Sequence, residues 1–214
     1  MSSVLSGIKI AVLGGDEREL ILVAELVRMG ATVVAAGFPR ERVGHGAFVV
    51  NNLQDACKDA EVVILPLPGT SADGVIRAVY SEQELKLCEN DINSMASNAL
   101  VIIGTARKFL KEWINARGLT LLEIADMDDI AILNSIPTAE GAIQIAMEET
   151  PFTIHGSKAC VIGFGRVGIT MARTLKALGS DVTVIARKDG QLARAYEMGC
   201  KRANFGDLHE IMNY

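Results

Sequence analysis

Histidine, cysteine and aromatic residues are all scarce in this chain of 214 residues: three His, four Cys, and 5% Phe, Trp and Tyr together. None of Cys57, Cys88, Cys160 and Cys200 forms a CxxC pair or has a His at ligand spacing, so no zinc site is predicted and no metal is assigned. The thiols read as reduced, with Cys160 a small apolar filler in its hydrophobic run. His45, His155 and His209 have no acid partner at short spacing, so no general base is assigned. Positive charge is also in deficit. A formal net charge of −5 argues against a partner held by phosphate contacts, which excludes nucleic acid. No apolar run approaches the roughly 20 residues of a membrane helix, and the first ten residues lack a secretory leader's basic and apolar regions. A cytoplasmic protein without a membrane partner is the expectation.

What is present is apolar residues, half of the total, and twenty glycines. That excludes a disordered chain. Short hydrophobic runs at 8–13, 32–36, 61–67, 100–104 and 119–123 alternate with amphipathic stretches at 17–29, 51–58 and 108–116. In 17–29, Leu20, Val23, Ala24 and Val27 are predicted to share the buried face. Near-continuous apolar strands joined by helices predict a parallel sheet covered on both faces. The pattern restarts with a helix over 137–149, a turn-rich stretch at 150–157, strands at 158–162 and 181–186, and helices at 166–178 and 191–198. The expected organisation is an α/β domain over 1–133, a linking helix over 134–150, and half of a second α/β domain over 151–214. The missing half sheet is read as a truncation, or as completed by another chain.

The sharpest motif is Gly163-Phe164-Gly165-Arg166-Val167-Gly168, placed between an apolar strand and an amphipathic helix. There Gly163 permits the turn, Gly165 lets the backbone approach a pyrophosphate, and Gly168 lets helix and strand pack, as in a Rossmann-like dinucleotide site. Helix-start amides and the helix dipole then face the phosphates. Both domains are therefore read as doubly wound parallel sheets. An acid at the end of the following strand selects NAD; here that strand ends in Ala186, Arg187 and Lys188. Two cations suit a 2′-phosphate, so NADP is expected over NAD, although Asp189 stands next in line. The first domain has Gly14-Gly15-Asp16 but no third glycine, and is expected to hold substrate instead. Its strand-end candidates are Thr70, Thr105 and Arg107, with Thr138 and Glu140 near the start of the linking helix.

The segments KIAVLGGDERE (9–19), VVILPLPG (62–69), NSIPTAEGAIQIAMEETPFTIHG (134–156) and CVIGFGRVG (160–168) together resemble the A-subunit family of the dipicolinate synthases of endospore-forming bacteria. The third segment is the most specific. The layout is also similar to the wider formate/glycerate dehydrogenase-like superfamily of two-domain NAD(P) enzymes. The resemblance implies an oxidoreductase that forms dipicolinate from a dihydrodipicolinate-pathway intermediate during sporulation, in the mother cell. It implies a small dicarboxylate substrate, a homo-oligomer, and a partner, the flavoprotein-like B-subunit. It carries Gly163, Gly165, Gly168 and Arg187 over as cofactor residues. Members are longer, which implies that the last part of the cofactor domain is missing here. A 2-hydroxyacid dehydrogenase-like enzyme and a nucleotide-sensing binding module are the alternatives.

Overall fold

A computed structural model describes residues 3–212. The chain forms two compact units, residues 1–127 and 128–214. The first contains β1 (Lys9–Leu13), α1 (Glu17–Arg28), β2 (Thr32–Ala36), β3 (Phe48–Val50), α2 (Leu53–Cys57), β4 (Val62–Ile64), β5 (Val75–Ile76), β6 (Leu85–Lys86), α3 (Glu89–Asn93), β7 (Leu100–Ile103), α4 (Lys108–Ala116) and β8 (Thr120–Glu123). Six strands make one parallel sheet in the order β3-β2-β1-β4-β7-β8, with β5 and β6 a separate antiparallel hairpin. The strand order reverses direction at β1/β4, which opens a crevice at the carboxyl ends of those two strands.

Alternation along β1 explains why the sheet needs two covered faces. Ala11 and Leu13 enter one buried cluster with Val63, Val101 and Leu110, whereas Ile10 and Val12 enter the other with Val23 and Val33. Helix α1 differs from its expected face: Ala24 is exposed and Leu26 is buried with Val23. Leu20 and Val27 flank that stripe on the sheet-facing side, while Ile21 as well as Ala24 is left to solvent. Strand β4 ends before its apolar run does. Leu65 N–H still reaches Ile102 O at 2.9 Å, and the next residue, Pro66, has no N–H to continue the ladder. Strand β3 and the β5–β6 hairpin carry too few residues to show a period and were not expected from the sequence.

The second unit contains α5 (Asp128–Glu149), β9 (Lys158–Ile162), α6 (Arg166–Ala177), β10 (Asp181–Ile185), α7 (Asp189–Glu197), β11 (Lys201–Ala203) and α8 (Leu208–Met212), with a three-stranded parallel sheet in the order β11-β10-β9. Helix α5 begins nine residues earlier than the sequence predicts, and Pro137 lies inside it instead of in the first turn. A proline there removes the N–H owed to Leu133 O. Neighbouring hydroxyls tie down the adjacent turn: Ser135 Oγ donates to Ile132 O (2.6 Å) and Thr138 Oγ1 to Asn134 O (2.7 Å). Ser135 is fully buried and also meets Thr170 Oγ1 of α6 at 2.6 Å. No helix of the described residues is long and apolar enough to cross a membrane.

Candidate functional site

In the second unit, β9 runs into the turn 163–165 and α6 starts at once. Gly163 has φ +93°, a conformation that a side chain strains, and its N–H donates to Ile185 O at 2.8 Å, which fixes the turn against β10. A Cβ at Gly168 would overlap Gly163 O, so helix and turn can pack this closely only with glycine. Gly165 is different. A Cβ there would meet nothing within 4 Å. The protein itself does not require this glycine; its bare face lies on open space, as a backbone surface for a ligand would.

The start of α6 carries no side-chain cap and no acid in its first turn. Among the described residues, the amides of Arg166, Val167 and Gly168 meet no side-chain acceptor. Such amides carry the positive end of the helix dipole and favour an anion. Phe164 contributes backbone alone: its ring is buried in the core and its carbonyl accepts from Gln191 Nε2 at 2.9 Å. Val167 is exposed beside the turn, and Arg166 pairs with Asp128 at 3.1 Å. At the end of β10, Ala186 is buried, while Arg187 and Lys188 are exposed, and no side chain of the described residues pairs with either. A cavity of about 670 Å³, lined largely by apolar side chains of α5, β9 and α6, reaches Gly163, Gly165 and Gly168. Open amides and a bare Gly165 leave a backbone surface that could meet the pyrophosphate of a nicotinamide dinucleotide, with Arg187 and Lys188 exposed one strand away.

The corresponding turn of the first unit is closed. Asp16 caps α1, accepting from Arg18 N at 3.1 Å, and Glu19 reaches back to Asp16 N at 2.8 Å. Gly15 is bracketed by the hairpin segment, donating to Arg77 O (2.7 Å) and accepting from Val79 N (3.0 Å). Arg18, by a two-point contact at 2.9 and 3.0 Å, and more distantly Arg77, hold the Asp16 carboxyl below its ordinary value. Acids in the first turn and backbone over the glycines leave no pyrophosphate cradle here.

Of the first unit's sequence candidates, Thr70 and Arg107 come together. Arg107 Nε donates to Thr70 O at 3.2 Å, and Thr70 Oγ1 is buried without a hydrogen-bond partner. Thr105 is exposed on the neighbouring loop, whose Ala106 N–H is held by Glu123 at 2.8 Å. Thr138 and Glu140 belong to the second unit. They lie exposed in the middle of α5, not in its first turn, and Thr138 is turned back onto its own helix. Arg77 escaped sequence reasoning, since only the hairpin brings it beside Gly15.

Residues 137–213 match the family of the NAD-binding domain of D-isomer specific 2-hydroxyacid dehydrogenases. Residues 9–125 match the N-terminal domain of the dipicolinate synthase A-subunit. The crystal structure of the dipicolinate synthase A-subunit from Bacillus halodurans superposes with a TM-score of 0.89 at 33% identity, covering 95% of this chain and 70% of that one. Its counterpart from Bacillus subtilis gives 0.82 at 35% identity, covering 100% and 72%. A transhydrogenase from Sinorhizobium meliloti, 18% identical with a TM-score of 0.57 over 94% and 66%, shares the fold. In sequence, the chain is 36% identical over 207 residues to the dipicolinate synthase A-subunit of Bacillus subtilis (strain 168), which spans 96% of this chain and 70% of that protein. With an NAD-binding-domain match in one unit, the synthase's own N-terminal domain in the other and 36% identity over 96% of its length, the chain belongs to the dipicolinate synthase A-subunit family.

Proposed function

We propose that this chain is the nicotinamide-linked subunit of a dipicolinate-forming oxidoreductase that prefers NADP. The bare, uncapped turn at Gly163–Gly168 carries the reading. Gly163, Phe164, Gly165, Arg166, Val167 and Gly168 supply backbone amides and a cationic rim for the pyrophosphate. Ala186 lines the adenosine side with a small surface, and Arg187 and Lys188 grip the 2′-phosphate. Making a pyridine ring from a hydrogenated precursor is an oxidation, and the nicotinamide, when bound, accepts the hydride. Substrate recognition falls to the first unit through Thr70, Thr105 and Arg107, with Thr138 and Glu140 as further candidates. The helix segment 134–150 serves as the link. The partner is the synthase's flavoprotein-like B-subunit, in a sporulating cell, as the family likeness supports.

Titration of the chain with NADPH and NADH tests the cofactor half of this reading. NADPH should bind more tightly, and Arg187→Ala should weaken NADPH at least tenfold while leaving NADH within twofold, the scale of one lost charge-assisted contact. Equal affinity for the two cofactors in the unaltered chain refutes the NADP preference.

A further inference from the structure

The geometry points to a two-arginine clamp, Arg77 and Arg107, that recognises the paired carboxylates of a small dicarboxylate at the carboxyl end of the first unit's sheet. It rests on the reading above and names residues for its substrate side.

The two arginines flank the β1/β4 crevice by different routes. Arg107 follows β7 and leans back, its Nε on Thr70 O at 3.2 Å, just beyond β4. Arg77 is delivered by the hairpin. Thr70 bridges Ile76, and the next residue's carbonyl takes Gly15 N–H at 2.7 Å, just beyond β1. Both side chains are exposed, and neither is paired with a carboxylate among the described residues at ion-pair distance.

The surroundings favour anions at the Arg107 end. Helix α4, nine residues long, begins at Lys108 with no side-chain cap and no acid in its first turn. Thr70, 3% exposed, keeps its Oγ1 without a partner beside this start. An unsatisfied buried hydroxyl is costly, and a carboxylate oxygen would supply the missing acceptor. Asp16, whose carboxyl feels the charge of Arg77, is already engaged at two points by Arg18. Glu123 is engaged by Lys111 at 2.6 Å and by Ala106 N–H. Neither carboxylate therefore stands free to occupy the clamp.

The chain's single tryptophan, Trp113, lies on α4 against Phe109, with ring centroids 4.8 Å apart, and reports on this helix. Its fluorescence is followed while the full chain is titrated with pyridine-2,6-dicarboxylate and, separately, pyridine-2-carboxylate. The dicarboxylate should bind at least tenfold more tightly. Arg77→Gln and Arg107→Gln should each remove that preference, and Arg107→Lys, which keeps charge but loses the planar fork, should remove part of it. NADPH affinity should stay within twofold in all three, and a chemical-unfolding midpoint read by Trp113, which lies in the same unit, shows that they are folded. Equal binding of the two probes by the unaltered chain, no binding of either, or indifference to Arg77→Gln overturns the clamp. Loss of NADPH binding in the unaltered chain with the dicarboxylate preference intact instead overturns the cofactor reading alone.

Discussion

The molecule contains two βα turns with similar glycine-rich sequences and opposite chemistry. After β1, Gly14-Gly15-Asp16 leads into a helix whose first amides are claimed by Asp16 and whose first turn holds Glu17 and Glu19. After β9, Gly163–Gly168 leads into a helix whose cap position, Gly165, offers no side-chain acceptor and whose first residue is Arg166. The first helix start is complete in itself; the second leaves donors open. A helix that satisfies its own amides gains stability, typically about 1 kcal/mol, and loses the ability to bind an anion. The difference lies in which residue occupies the cap, since both cap positions have extended backbone, φ −134° at Asp16 and −97° at Gly165.

Exchanging the caps breaks the comparison most sharply. Gly165→Asp gives α6 the cap of α1 in a backbone that tolerates it, and nothing within 4 Å obstructs the new Cβ. The melting temperature should hold or rise slightly, since Asp exceeds Gly as a cap by a few tenths of a kcal/mol. NADPH affinity should fall by about a hundredfold, because a carboxylate then faces the pyrophosphate. Calorimetry and cofactor titration of one variant give both numbers. Retained binding would mean that the turn is not the cradle.

Gly168→Ala should act on the other quantity. Its Cβ would overlap the Gly163 carbonyl, a backbone atom that cannot rotate away. A loss of about 1–3 kcal/mol is expected, the scale of overpacking, read as a lower denaturant midpoint with binding weakened as a consequence. Gly165→Ala, with open space around it, should leave the midpoint unchanged. The pair separates the glycine the fold needs from the one a ligand needs.

The glycine turn at 163–168 was legible in the sequence because strand, glycines and helix are contiguous. The parallel sheets were legible for the same local reason. The onset of α5 was not, since Pro137 reads as a helix start and only Ser135, Thr138 and their carbonyl partners show how the helix passes through it. Arg77 was illegible because its place depends on a hairpin of two-residue strands, too short for any periodicity. Thr70 was readable as a strand-end hydroxyl, but its burial without a partner follows from how the loops at 66–70 and 105–107 meet.

On the closed side of the comparison, Asp16→Ala should cost about 1 kcal/mol, the usual value of an N-cap, and should leave NADPH affinity unchanged. Chemical unfolding followed by Trp113, which lies in the same unit, measures the first, and titration measures the second. A change in cofactor affinity would show that the two turns are not independent.

The smallest effect concerns acid. Glu123 is held below its ordinary value of 4.5 by Lys111, and then by the Ala106 amide. A carboxyl lowered on folding stabilises the native state at pH above its unfolded value and loses that contribution as pH falls through the lowered one. Asp16 behaves alike, with Arg18 as the main cause. The first unit should therefore lose stability below about pH 4.5, and Glu123→Gln should flatten part of that loss. At neutral pH the same substitution should cost under about 1 kcal/mol, since Lys111 is half exposed and water screens the pair. The first turn of α6 holds no carboxylate, so no such acid-linked loss originates in its own cap. Trp113 fluorescence between about pH 7 and pH 3 follows the first unit across that window. An acid limb of equal steepness with and without Glu123→Gln would remove this carboxyl from the account and leave Asp16 and Asp73, the latter held low by Ser71, as the titrating groups.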